Sequence, residues 1–193
     1  MSNNLYIKNH INLSFQNSAE ITEFYRSLEV DYPKFFKMDG LSKLGFVAAE
    51  MIFAEDSSLR GNDSAGREDV AIICFNCSSS LEIDTQYQAT IQQNDNYFPS
   101  PALFVYTLPN IVAGEIAIRH KFFGETSFYV AENFDAEQIF STVQNAFFDT
   151  ATQEVLFAWV ENFNDIFEIK MFLITKTTQD LEFSAENLKT LSA

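Results

Sequence analysis

Hydrophobic and polar residues along this chain alternate in some stretches, run unbroken in others, and elsewhere recur at helical spacing. Leu5, Ile7, Ile11, Leu13 and Phe15 sit at alternate positions and predict a strand over Leu5–Ser14. A short amphipathic turn follows at Ile21–Leu28. Leu41, Leu44, Ala48, Met51 and Ile52 share one helical face, and Asp39 just ahead of them is a candidate cap. Val70–Phe75 is continuously apolar, as a strand covered on both faces should be.

The polar stretch Glu55–Asp69, rich in Ser, Gly and Asp, reads as a surface loop. After Val70–Phe75, the residues Asn76-Cys77-Ser78-Ser79-Ser80 turn the chain into a helix bearing Ile83, Tyr87 and Ile91 on one face. Gln92–Tyr97 loops out before Pro99 and Pro101. Pro109 interrupts the next run, so Leu103–Leu108 and Asn110–His120 are two helical pieces or one kinked helix, and Gly124 is expected to end it. Thr126–Ala131 predicts a strand. Asp135 with Gln138 three residues later predicts a helix start, with Ile139, Val143 and Phe147 inward. Glu154–Val160 reads as a buried strand. Ile166–Ile174, interrupted by Glu168 and Lys170, reads as a strand in an antiparallel or edge position. From Lys176 the chain is polar and predicts a weakly structured tail.

The order is thus β, α, β, α, α, β, α, β, β, which implies an α/β domain with a mostly parallel, helix-covered sheet closed by a hairpin. We place a single domain over residues 1–175 and the tail over 176–193. No repeat of 20–50 residues is visible.

Composition adds exclusions. The chain has 193 residues, is 47% hydrophobic with 21 Phe, and so has material for a sizeable core. Its formal net charge of −15 opposes a nucleic-acid partner, whose phosphates would be repelled. No run approaches the roughly 18–20 apolar residues of a membrane span. With two Cys and no export pattern in MSNNLYIKNH, a reduced, cytoplasmic setting is the expectation.

Two stretches resemble a known family. PSPALFVYTLPNIVAGEIAIRHKFFGETSFYVAENFDA, from Pro99 to Ala136, is similar to the segment of β-ketoacyl synthases, thiolase-like condensing enzymes, that leads into the nucleophilic cysteine. That segment has a Pro-rich entry, a helix with Asn then small residues, a Gly turn, a strand, and a step into the next helix. KMDGLSKLGFVAAE resembles the family helix that opens Arg-Met-Asp and becomes Ala-rich. The resemblance covers roughly residues 33–174. It implies the N-terminal half of the thiolase fold: five strands in the order 3-2-1-4-5, with strand 5 antiparallel.

Carried from Gly124 without gaps, the resemblance places the family's nucleophile at Asn133, and its Ala-Gly-Gly-x-Glu strand on Phe157–Glu161, where only the Glu matches. An amide is not a nucleophile, and Asp135 nearby would disfavour a thiolate. The family's catalytic histidines belong to a second half. His10 and His120 lie elsewhere, and His120, at a helix end, is expected at the surface. The resemblance therefore implies a truncated, non-catalytic ketosynthase-like partner in fatty-acid- or polyketide-type biosynthesis, pigments included. Its partner would be a second copy or a full-length ketosynthase. In the family the third strand pairs across the dimer, which makes Thr126, Phe128 and Val130 the edge candidates, together with the Asp135 helix. A half-fold is also expected to leave one apolar face uncovered.

Other residues carry competing readings. Cys77 opens a helix, where a thiol pKa falls, so an acyl-transfer or thioesterase-like enzyme is the alternative function. Its bland counterpart is a small residue at a serine-capped turn. Cys74 and Cys77 form a lone C-x-x-C with no second pair, so no metal and no cofactor are expected. Glu161, Asp165 and Glu168 read as a solvated face. Lys34, Lys37 and Lys43 form a small patch able to meet an acidic acyl carrier, although the chain's own acidity disfavours that partner. Phe122, Phe123, Phe128 and Phe134 read as core and interface.

Overall fold

A computed structural model describes residues 4–54, 66–92, 97–164 and 166–193. Most of the expected Glu55–Asp69 loop, residues 93–96 and Asp165 lie outside the described residues. Five strands form one mixed sheet: β1 (Tyr6–Phe15), β2 (Val70–Asn76), β3 (Thr126–Val130), β4 (Glu154–Phe163) and β5 (Ile166–Thr175). Among the described residues seven α-helices surround it: α1 (Ser18–Ser27), α2 (Gly40–Ala54), α3 (Leu81–Ala89), α4 (Pro101–Tyr106), α5 (Ile111–His120), α6 (Ala136–Ala146) and α7 (Ala185–Leu191), with a 3-10 turn over Pro33–Lys37 between α1 and α2. No helix among the described residues is long and apolar enough to cross a membrane.

The sheet order is β1-β5-β4-β2-β3. Strands β2, β3 and β4 are mutually parallel, and β5 runs antiparallel to both β4 and β1. The antiparallel fifth strand follows the expectation, but the order 3-2-1-4-5 does not: β1 lies at the outer edge beyond β5. Its composition accounts for this. A central strand covered on both faces is apolar throughout, as β2 is with every residue buried. By contrast β1 carries Lys8, Asn9, His10, Asn12 and Ser14 and is mostly half-buried, as an edge strand is. It also takes the edge position expected for β5, which is internal.

A bulge between Ile7 and Asn9 shifts the register against β5 by one residue. It sends Leu5 and Ile7 to one face of the sheet and Ile11, Leu13 and Phe15 to the other. Helices α1, α2 and α5 cover the first face, over Val70, Ile72, Cys74, Leu156, Ala158 and Val160. The second face, with Ile73, Phe75, Phe157 and Phe172, is covered by α6 and by the C-terminal segment.

That segment corrects two expectations together. The presumed tail is not weakly structured: Leu181 and Phe183 exchange backbone hydrogen bonds with Ile7 and Leu5, and Ser184 caps α7. Leu188 is then fully buried against α6. Because these residues fill the space beside α6, neither face of the sheet is left bare. The outward residues of α6, including Glu137, Gln138, Ser141 and Gln144, are polar and exposed.

Local signals explain the helices that frame the site. Asp39 caps α2 by accepting the Ser42 N–H at 3.0 Å. Pro109 separates α4 from α5. Helix α5 ends not at Gly124 but at Lys121, which takes the left-handed conformation (φ 56°). Gly124 has another role: a Cβ there would sit 2.2 Å from the Val70 carbonyl oxygen, so the chain needs glycine to pass close to β2.

Candidate functional site

The parallel strands β3, β2 and β4 end side by side, and in open α/β sheets the carboxyl ends of parallel strands are where ligands are held. Here those ends are Ala131-Glu132-Asn133, Asn76-Cys77-Ser78 and Glu161-Asn162, all brought together by the pairings Asn76↔Val130 and Phe75↔Trp159. This places three of the singled-out positions, Cys77, Asn133 and Glu161, at one end of the sheet.

Glu161 organises that end. It is buried rather than part of a solvated face. One carboxylate oxygen accepts the Cys77 backbone N–H at 2.9 Å, and the other accepts the Ser78 hydroxyl. The Asn76 side chain completes the turn, accepting the Ser79 N–H and donating to the Ser79 carbonyl, both at 2.8 Å. This clamp holds Ser79 at a positive φ of 53°. Glu168 is exposed opposite Glu161 on β5.

The thiol of Cys77 is exposed and donates to the Glu132 carbonyl at 3.3 Å. Burial pushes its pKa up, and the carboxylates of Glu161 and Glu132 push it further in the same direction. A nucleophilic cysteine needs the opposite shift. Cys74 is buried within β2, where desolvation raises its thiol to about 12.

Asn133 is exposed in the turn between β3 and α6. The N-terminal N–H groups of α6 are already engaged, because the Asp135 carboxylate accepts from Glu137 at 3.0 Å and Gln138 at 3.1 Å. Neither histidine lies here. His10 stacks on Phe172 in the edge strand. His120 ends α5, which delivers the chain to the opposite end of β3. It is not a surface residue: it packs against Phe53 and Phe122 with its side chain 9% exposed. Burial depresses its pKa to about 4 despite Glu50 at 3.5 Å.

Beside Asn162 a cleft of about 260 Å³ opens between α2, α3 and α4. Its polar lining includes Lys37, Asp39, Lys43, Glu82, Gln86 and Tyr106, so acidic and basic groups face it together. Burial raises the Asp39 carboxyl, opposed by its bonds to Ser42, and burial lowers the Lys43 ammonium. The Tyr106 hydroxyl donates to Glu115 at 3.1 Å, and Glu115 pairs with Lys34 at 2.7 Å. Lys34 is therefore engaged, while Lys37 and Lys43 face the cleft. The Lys34–Glu115–Tyr106 chain has no counterpart in the linear pattern, since only the fold brings α5 under α4. Among the described residues no group of three or more His, Cys, Asp or Glu is placed to hold a metal ion.

The remaining feature is the sheet edge. β3 pairs only with β2 among the described strands. The Glu125 carbonyl and the Ala131 N–H bond to β2. By strand alternation the backbone groups of Thr126, Phe128 and Val130 then point away from β2. The candidate edge residues are thus the three with outward-facing N–H and C=O groups. Around them Phe123 is 68% and Val130 57% exposed, with Ile118 and Tyr129 also open to solvent. Of the four phenylalanines expected in core and interface, Phe122 is buried, Phe128 and Phe134 pack against the two cores, and Phe123 is exposed.

Solved structures share this architecture. The ishigamide ketosynthase/chain length factor superposes with a TM-score of 0.70 at 15% identity, over 92% of this chain and 64% of that one. The fold is the thiolase-like ketosynthase fold. A type II polyketide synthase acyl-carrier protein in complex with its ketosynthase bound to the hexaketide (AntDE:AntF) matches at TM-score 0.62 and 12% identity, covering 97% and 64% of the two chains. The ketosynthase ApeO in complex with its chain length factor ApeC, from Xenorhabdus doucetiae, matches at TM-score 0.56 and 13% identity, covering 91% and 80%. The chain thus spans less than two thirds of the ishigamide and AntDE:AntF ketosynthase-type chains. No protein-family model and no curated protein matches it.

Proposed function

We propose that this chain is a non-catalytic, ketosynthase-like accessory subunit, partnering a full-length ketosynthase in fatty-acid- or polyketide-type biosynthesis, pigment pathways included. The observation that carries the proposal is the ketosynthase fold in which the nucleophile position, by the resemblance, is Asn133. The end of the sheet supports it: Asp135 already satisfies the α6 N-terminus, Glu161 holds the neighbouring turn closed, and no histidine is close by. Solved structures with this fold include ketosynthases paired with chain length factors, and the outward-facing edge at Thr126, Phe128 and Val130 suits such pairing.

The alternative, acyl transfer by Cys77, has less support, because burial and two carboxylates hold that thiol protonated. An acyl carrier is a secondary partner at most: Lys37 and Lys43 at the cleft suit its acidity, but a net charge of −15 opposes it. We place the protein in the cytoplasm. The test is co-expression with each ketosynthase of the source organism, followed by incubation with acyl thioesters and intact mass measurement. A stoichiometric complex with no acyl adduct on this chain is expected. An adduct on the wild type that Cys77→Ala removes would overturn the non-catalytic reading.

A further inference from the structure

We infer that the cleft beside Asn162 binds a small zwitterion, a nonpolar α-amino acid whose carboxylate turns towards Lys43 and whose ammonium turns towards Glu82. The inference goes beyond the accessory-subunit reading and does not depend on it.

The cleft lies on the α2 face of the sheet, away from the turn that Glu161 closes. Along β4, Ala158 and Val160 belong to the core beneath α2, and strand alternation sends Asn162 to that side and Glu161 to the other. Asn162 is 8% exposed, lines the cleft and makes no side-chain hydrogen bond among the described residues. An amide buried without partners is costly. The sequence nevertheless makes room for this one. A Cβ at Gly40 would sit 2.3 Å from the Asn162 Nδ2, so glycine at the start of α2 lets the amide lie against the backbone. Held there, it offers a ligand both donors and an acceptor.

The charged groups of the cleft are balanced and come from different walls. Lys43 stands on α2, its ammonium 5.9 Å from the Phe35 ring centroid. Asp39 attracts it, but the Asp39 carboxylate already caps α2, and no ion pair joins the two among the described residues. Glu82 stands on α3, where one of its oxygens accepts from Gln86 at 3.0 Å and the other takes no hydrogen bond among the described residues. With the exposed Lys37, two cations thus face two carboxylates. A simple anion would gain the lysines but meet Asp39 and Glu82, and a simple cation would meet the reverse. A zwitterion satisfies both walls at once, with the Asn162 amide donating to its carboxylate. Ile83, Leu103 and Phe167 supply an apolar lining for its side chain. The volume of about 260 Å³ lies below the roughly 300–1,000 Å³ of sites for drug-sized ligands, as suits an amino acid.

Calorimetric titration with three probes of one shape tests this. L-Leucine carries both charges, 4-methylpentanoate lacks the ammonium, and 3-methylbutylamine lacks the carboxylate. L-Leucine should bind saturably, and each analogue about tenfold or more weakly, the effect of one lost charged contact. Lys43→Met keeps an apolar stem over Phe35 and should erase the preference for L-leucine over 3-methylbutylamine. Glu82→Gln should erase the preference over 4-methylpentanoate. Asn162→Asp keeps the shape of the amide and should weaken L-leucine about tenfold while strengthening the amine, because a carboxylate then faces the ligand's own. Each readout compares ligands on one variant, so a general loss of folding does not imitate it.

L-Leucine that fails to bind the wild type at about 10 mM would overturn the inference. So would an analogue that binds as tightly as L-leucine, or preferences that stay unchanged in Lys43→Met and Glu82→Gln. None of these outcomes bears on pairing with a ketosynthase, which co-expression tests separately, so the accessory-subunit reading can stand where this inference fails.

Discussion

The Glu161 carboxylate accepts the backbone N–H of Cys77 at 2.9 Å, joining the end of β4 to the turn that follows β2. The same carboxylate accepts the Ser78 hydroxyl, so one acidic side chain fixes the turn where a ligand-holding loop would be sought. After burial, it is also the next cause that raises the pKa of the adjacent thiol. Replacing it with Gln should cost about 1–3 kcal/mol, since one of two buried donors loses its charged acceptor. The Cys77 pKa should fall, because a carboxylate that raises it is gone. Iodoacetamide labelling near neutral pH should therefore be faster in Glu161→Gln than in the wild type, and an equal rate would contradict the assignment.

Proline scanning along β3 should separate its two sides. Val130→Pro removes an N–H that bonds to nothing in the sheet and should change stability by less than about 1 kcal/mol. Tyr129→Pro removes a ladder donor and the Tyr129–Phe75 stack at 4.8 Å, and should cost about 3 kcal/mol or more. Urea unfolding of the two variants checks the order, and a reversed order would place the free edge on the wrong residues.

The C-terminal helix is part of the core. Leu188→Ala should cost about 2–4 kcal/mol. Removing residues 177–193 should expose the second face of the sheet and raise binding of a hydrophobic dye. A truncated chain with unchanged melting temperature and no dye binding would show that α7 is dispensable.

His120 predicts a pH dependence of definite sign. Its ordinary value is 6.5 and burial lowers it to about 4 in the folded chain. The unfolded chain therefore takes up this proton first. The stability it contributes is complete above about pH 6.5 and is lost as pH falls towards 4, with about 2 kcal/mol gone by pH 5. His120→Phe should flatten that loss. The comparison of wild type and variant melting temperatures between pH 7 and pH 5 tests it, and parallel pH profiles would contradict it.

Much of this architecture is legible in the linear pattern, for reasons that particular residues make plain. Val70–Phe75 and Glu154–Val160 are unbroken apolar runs, and they form the two central parallel strands. Asp39 and Asp135 are short acceptors ahead of amphipathic runs, and both cap their helices. The polar alternation of β1 favours the edge position it takes, against the order 3-2-1-4-5 that the resemblance implies. The bulge near Lys8 leaves no mark, because Leu5, Ile7, Ile11 and Leu13 keep odd spacing while the backbone shifts by one. Leu181, Phe183, Leu188 and Leu191 are scattered among polar residues, and their burial depends on a surface built by α6 and β1. At the site, Cys77 and Asn133 are found by motif. The role of Glu161 depends on strands 84 residues apart in sequence meeting at one end, which no local window contains.

The measurement that bears most directly on the accessory-subunit account is native mass spectrometry of this chain mixed with a full-length ketosynthase from the same source. The account predicts a heterodimer that Val130→Pro disrupts while leaving both partners folded. A chain that stays monomeric against every such ketosynthase, or a complex indifferent to the β3 edge, would contradict it.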